Sequence, residues 1–351
     1  MKILYINCVA YDYLTATLIE GLTELGHEVV CARNSNNGKA LRESDIPRVA
    51  EAADLIIIGS NSGVDYHLLE GVNNPRIVAV DGSDHAAFEV PAITRIKAVF
   101  KRELCEADKN PADNCVYPLP FAAEQRYFTK STTKDLLVSF VANMDTNPLR
   151  HSVHTRLLNR TDSAIFSGST NERTYSVTAP RSNAIETPTY RQLLARSRIS
   201  VSVPGAGYDC ARYWEIPAAK AMLFTYTPDI VIPNPFTDGI NCVTFSSMSE
   251  FEEKLDHYLS HPARITEIAE AGYDHLLAHH TTARRAAYFL DLALPAVNRT
   301  GFCERFYTGD IKRPPFLVRV IGRRNVRRVR SLAKTALRTC LKPLPRLDTL
   351  R

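Results

Sequence analysis

The run Leu55-Ile56-Ile57-Ile58-Gly59 constrains the fold more than any other feature of this chain. Every side chain in it is apolar, as a strand buried on both faces requires, and it lacks the alternation of a sheet wetted on one side. Parallel strands of this kind need long crossovers, usually helical. The preceding residues supply one. Lys2–Cys8 reads as a strand, Leu14, Leu18, Leu22 and Leu25 recur at helical spacing, Gly26 stops the helix, and His27–Arg33 is a second strand around Val29 and Val30. Arg76–Asp81 and Ala98–Phe100 continue the series, which predicts a doubly wound, parallel α/β sheet. Such sheets bind ligands beyond the carboxyl ends of their strands. Those ends are Cys8–Asp12, Gly59–Ser62 and Asp81–His85. Neither Gly-x-Gly-x-x-Gly after the first strand nor a P-loop occurs, so the two commonest nucleotide signatures are missing from this half.

A polar, turn-rich stretch, Thr129–Asp135, follows two prolines and reads as a linker. A second series then begins. Leu136–Ala142, Ser163–Ser167, Arg198–Pro204, Met222–Tyr226 and Asn241–Phe245 read as strands. Arg150–Leu158, Thr189–Ser197, Cys210–Ala221, Ser249–Leu259, Ile265–His279 and Thr282–Leu294 read as helices, the fourth with Ser249 as N-cap. The expected organisation is therefore two Rossmann-like layers, residues 1–128 and 129–295, facing a cleft, with a C-terminal segment from 296 to 351.

Charge divides the chain. The net charge is +5, yet residues 312–351 alone carry 13 Lys/Arg against Asp348, leaving residues 1–311 at −7. The body is mildly acidic, so the overall basicity is not a sign of nucleic-acid binding. Apolar residues from Leu317 to Cys340 recur mostly every three or four positions among the arginines, which predicts basic amphipathic helices. Such a segment can lie on an anionic membrane surface or pack back on the acidic body. The eight cysteines show no Cys-x-x-Cys and no zinc spacing, and are expected as buried free thiols of a reducing compartment. His275, His279 and His280 lack the glutamate and third ligand of a zinc helix and read as a solvated face. No apolar run approaches the length of a membrane span, and the first residues turn polar too early for a secretory signal, so a cytoplasmic location is expected, peripheral to a membrane if the tail binds one.

The segment Ser200-Val-Ser-Val-Pro204-Gly205-Ala-Gly207-Tyr208-Asp209-Cys-Ala-Arg212-Tyr-Trp214-Glu215 carries the chemistry. Two glycines between a buried strand and a helix let the backbone approach a ligand closely, and a helix start offers unpaired N–H groups to phosphate. A cation in the first helical turn, Arg212, calls for an anion. Glu215, three residues on, shares its face and can accept bonds from hydroxyls. The alternative is an ordinary turn with a surface Arg–Glu pair.

From Tyr190 to about Tyr288 the sequence resembles the C-terminal domain of GT-B glycosyltransferases, particularly CgeB-like and exostosin-like members. The resemblance lies in Tyr190–Ile199, Gly207–Glu215, Ala219–Phe224, Pro235–Phe245 and a helical end with Arg284 and Arg285, opened by Leu137–Asn143 and Arg150. It implies a GT-B fold and transfer of a sugar from a nucleotide-sugar to a glycan, lipid or protein acceptor, with no obligatory metal and no cofactor. By position, Arg212 would meet the diphosphate, Glu215 the ribose or sugar hydroxyls, and Ser167-Gly168 would line the donor pocket beside Gly205, Gly207, Tyr208 and Asp209. The absence of an Asp-x-Asp triplet agrees with that class. The sequence departs from many retaining relatives in having Leu223 where a second glutamate stands and Lys220 where glycine is common, and Pro217 falls inside the proposed helix. A base on the acceptor side is sought among Asp12, Asp81, Asp84 and His85, at the strand ends of the first layer. The rival readings are a non-catalytic nucleotide-sugar or glycan-binding protein of this fold and a sugar-nucleotide epimerase.

Overall fold

The computed structural model of the chain describes residues 1–6, 13–32, 41–59, 69, 71–88, 95–108, 114–129, 133–158, 160, 163–167 and 187–303. Asp12, Gly168 and the basic C-terminal segment lie outside them.

Two parallel sheets form. In the first, β1 (Lys2–Ile6), β2 (Glu28–Ala32), β3 (Leu55–Gly59), β4 (Ile77–Asp81), β5 (Ile96–Lys101) and β6 (Val116–Pro118) lie in the order β2-β1-β3-β4-β5-β6. The Leu55–Gly59 run is wholly buried, as its composition dictates. Helix α1 (Tyr13–Glu24) makes the β1–β2 crossover. It ends where Gly26, at φ +80°, closes the last turn through Gly26 N–H to Thr23 O and His27 N–H to Leu22 O. Helix α2 (Ile46–Glu51) precedes β3. Strand β6 was not expected, because its prolines read as a terminator. As an edge strand with Pro118 last, it needs no further donor from that residue.

The second sheet holds β7 (Leu136–Ala142), β8 (Ser163–Ser167), β9 (Ser197–Ser202), β10 (Met222–Tyr226) and β11 (Val243–Phe245) in the order β11-β10-β9-β7-β8. Around it lie α3 (Pro148–Leu158), α4 (Thr187–Arg196), α5 (Ala211–Ala218), α6 (Met248–Leu259) and α7 (Pro262–His279). The cap of α6 is Ser247 rather than Ser249. Its hydroxyl accepts from Glu250 N–H, and Glu250 reaches back to Ser246. Pro217 sits in the last turn of α5, where its ring disturbs little. The helix closes through Lys220 N–H to Pro217 O and Ala221 N–H to Ile216 O, with Lys220 held at φ 55°.

The last helix, α8 (Thr282–Val297), returns to the first sheet, packing on α1 and setting Phe289 4.5 Å from Phe100. The contact is so close that a Cβ on Gly21 would lie 2.0 Å from Thr282 O. One core cluster, including Tyr5, Phe100, Trp214 and Phe289, therefore spans elements of both layers, while separate clusters cover the outer face of each sheet.

The expectation of free thiols is corrected at one pair. Cys115 and Cys303, 188 residues apart, form a disulfide with Cα atoms 5.6 Å apart. Spacing rules see only near neighbours, whereas α8 brings Cys303 home to the first sheet. There Cys303 N–H bonds Ile96 O, and the Lys97 ammonium donates to Arg299 O and Gly301 O. Cys31, Cys105, Cys210 and Cys242 are free.

Candidate functional site

The strand ends of the two sheets meet through a loop from each. Val203–Cys210, between β9 and α5, is the glycine-bearing loop. Facing it are Gly82–His85 after β4 and Arg102-Glu103 after β5.

The link is built from charge. The Glu103 carboxylate accepts from Tyr208 N–H (3.0 Å) and Asp209 N–H (2.9 Å). Asp209 returns the contact, its carboxylate accepting from Phe121 N–H at 2.6 Å and from the Trp214 indole at 2.7 Å. Arg102 donates to Asp209 O and to Gly82 O and pairs with Asp84. One buried guanidinium thus holds the acceptor-side and glycine-bearing loops together. Burial pushes the Asp209 carboxyl up to about 6, opposed by the Arg102 charge.

The two glycines are needed for close approach, and the approaching groups are protein side chains. A Cβ on Gly207 would lie 2.4 Å from Glu103 Oε1, and one on Gly205 2.7 Å from a guanidinium nitrogen of Arg150. Arg150 lies behind the loop, donating to Pro204 O, Asn143 O and the Thr146 hydroxyl. Burial, then the neighbouring charge of Arg212, brings its guanidinium down to about 10.

Arg212 itself is half-buried. Its Nε is buried without a partner, and it forms no ion pair among the described residues. It stands in the first turn of α5, whose N-cap, Cys210, supplies no side-chain bond. That helix start has no side-chain cap and a cation without an ion pair among the described residues, an arrangement suited to an anion. Glu215, one turn on, is buried between phenols: Tyr190 donates to it at 2.7 Å, and Tyr127 bonds it as well. Burial raises its carboxyl above the ordinary range. Nearby, burial holds Glu124 up at about 7 despite its ion pair with Arg126. The buried Tyr13 hydroxyl faces this group without a partner of its own.

A pocket of about 360 Å³ opens at the carboxyl ends of β9, β10 and β11, lined by Asn147, Leu149, Pro204–Tyr208, Tyr226, Ser246 and Ser247.

Of the residues singled out in the sequence, Gly205, Gly207 and Tyr208 line this pocket, and Arg212 and Glu215 lie on the helix that leaves it. Both carboxylate oxygens of Asp209 are taken by protein donors, so it fastens the loop. Asp84 is exposed and paired with Arg102; His85 is exposed and reaches Ala87 O. Asp81 is buried in an ion pair with Lys101, which also donates to the Ser83 hydroxyl and Ala87 O. Ser167 ends β8, and nothing is described of its side chain. The histidine cluster is no solvated face throughout: His280 is buried, and both His275 and His280 reach Asn234 O through Nε2. Among the described residues, no three His, Cys, Asp or Glu side chains gather in a way that could hold a metal ion. Sequence reasoning missed Arg102 and Glu103, although three charged residues, Lys101-Arg102-Glu103, ending an apolar strand were the available signal.

Residues 150–291 match the glycosyl transferase-like family model. No curated protein sequence matches the chain. Solved structures do. A glycosyltransferase from Rickettsia africae aligns with TM-score 0.54 at 13% identity, over 85% of this chain and 99% of its own. Anabaena HepE in complex with UDP-glucose aligns with TM-score 0.55 at 10% identity, over 84% and 100%. Sucrose-phosphate synthase from Thermosynechococcus elongatus aligns with TM-score 0.53 at 10% identity, over 84% and 98%. At such identities the likeness shows the fold, which is that of the GT-B glycosyltransferases.

Proposed function

We propose that this chain is a GT-B glycosyltransferase that takes its sugar from a nucleotide-sugar donor. The observation that carries the reading is Arg212, a cation without an ion-pair partner among the described residues, at a helix start whose N-cap gives no side-chain bond, inside the segment that matches the glycosyl transferase-like family. Its placement among CgeB-like and exostosin-like members rests on motif order alone.

In this reading the nucleoside occupies the 360 Å³ pocket, with the Tyr208 and Tyr226 rings offering stacking surface. Glu103 already holds the Tyr208 and Asp209 amides, so the diphosphate is left to Arg212 and the first-turn amides of α5. As the glycosidic bond breaks, the leaving diphosphate gains negative charge, and these preorganised donors stabilise it. Glu215, buried between Tyr190 and Tyr127, braces the helix that carries Arg212. Asp84 is the acceptor-side group that the structure ties to the donor loop, through Arg102, and is the first candidate to receive the acceptor's proton. A glycan, lipid or protein acceptor fits, and the basic tail would serve a membrane-bound one.

The test is nucleoside diphosphate release from a panel of nucleotide-sugars, with acceptor-product analysis. Turnover that Arg212→Ala abolishes supports the reading. Binding without turnover points to the non-catalytic reading, and a converted free sugar nucleotide to the epimerase.

A further inference from the structure

A second concavity, of about 370 Å³, lies away from the donor pocket, between α4 and the crossover residues Arg126–Thr129. Pro188, Arg191, Gln192, Ala195 and Arg196 line one side of it, at the spacing of a single helix face. Arg126, Tyr127, Phe128 and Thr129 line the other.

Among the described residues no carboxylate lines the groove, while three arginines do. Two of these have counter-ions outside it: Arg126 pairs with Glu124, and Arg196 makes a two-pronged contact with Asp135 at 2.8 and 2.5 Å. Arg191 has none. One of its terminal nitrogens donates to Arg126 O at 3.1 Å, its Nε is buried and unpartnered, and it forms no ion pair among the described residues. A desolvated guanidinium edge without an acceptor is costly. It presents the planar fork that recognises phosphate, with the Arg126 charge beside it.

We propose that this groove binds a phosphate group, at a site separate from the donor pocket. Arg191 grips the phosphate, supported by Arg126 and by the Gln192 and Thr129 side chains on the facing walls. Free phosphate and a phosphate ester carried by an acceptor share this chemistry. Tyr127 joins the groove to the donor side, since it lines the groove and also bonds Glu215.

The experiment is a thermal-unfolding titration of the full chain with inorganic phosphate, and separately with glucose 6-phosphate, at constant ionic strength in chloride. Each series is repeated with UDP saturating. Phosphate is expected to raise the melting temperature with UDP present. Arg191→Gln should weaken the apparent phosphate affinity about tenfold and leave the UDP response unchanged. Gln192→Glu, an exposed change that breaks no contact, should weaken it in the same direction and decides the matter if Arg191→Gln does not fold. A stronger response to the ester than to free phosphate identifies a phosphorylated acceptor; equal responses identify free phosphate. The proposal is overturned if wild type gives no phosphate response, if saturating UDP abolishes that response, or if both variants respond as wild type does. Absence of a response to any nucleoside diphosphate of a panel, with the phosphate response intact, would instead remove the donor reading and leave the groove standing.

Discussion

The two loops that meet between the sheets are held by opposite means. Gly82–His85, after β4, is fixed by side-chain ion pairs: Asp81 with Lys101 beneath it and Asp84 with Arg102 beside it. Val203–Cys210, after β9, is fixed mainly through its backbone, by Glu103 on two amides and Arg150 on Pro204 O, with the Asp209 carboxylate adding a side-chain anchor. A loop held by its backbone depends on what is absent from its side chains, and glycine records that in the sequence. A loop held by ion pairs depends on partners about 20 residues away, and nothing local records them.

That contrast can be broken from either side. The largest expected effect follows Glu103→Ala, which frees the buried Asp209 amide and the half-buried Tyr208 amide and removes a carboxylate beside buried Arg102. Unfolding titrations should show a loss of about 3 kcal/mol. An effect below about 1 kcal/mol would mean that the loop is held mainly by Arg150. Arg212→Ala removes a half-buried side chain that makes no ion pair among the described residues, so stability should change by less than about 0.5 kcal/mol. Donor turnover should nonetheless fall about 100-fold or more, read as kcat/KM.

The pH dependence tests the buried carboxyl of Glu124, beside Arg126 and Glu215. Glu124 titrates near 7 in the native chain, above the ordinary glutamate value of 4.5. Between these values the native state holds a proton that the unfolded chain releases, so this contribution is complete below about 4.5 and is lost as pH rises through 7. Glu124→Gln should flatten the decline by on the order of 2 kcal/mol across that window. An unchanged slope would show that Glu124 titrates normally. The smallest effect belongs to Lys220, held at φ 55°. Lys220→Gly relieves that left-handed conformation but loses the ammonium stacked 4.5 Å from the Tyr273 ring. A gain of about 0.5–1 kcal/mol is expected from thermal unfolding.

Both sheets were legible because strand and crossover periodicities are local. Of the candidate site, the glycine-bearing loop, Arg212 and Glu215 could be read, since a strand, two glycines and a helix start lie within one short segment. The Glu103–Arg102 link could not, nor could the disulfide, because each partner is found only once α8 and the two sheets are assembled. The second glycine also shows how a correct position can have a different cause: Gly207 makes room for Glu103, a feature that only the folded chain reveals.

The most direct test of the central claim is a crystal structure of the chain with UDP bound. The account predicts the base in the pocket lined by Tyr208 and Tyr226, with the diphosphate against Arg212 and the start of α5. UDP bound elsewhere, with Arg212 free of it, would contradict that claim.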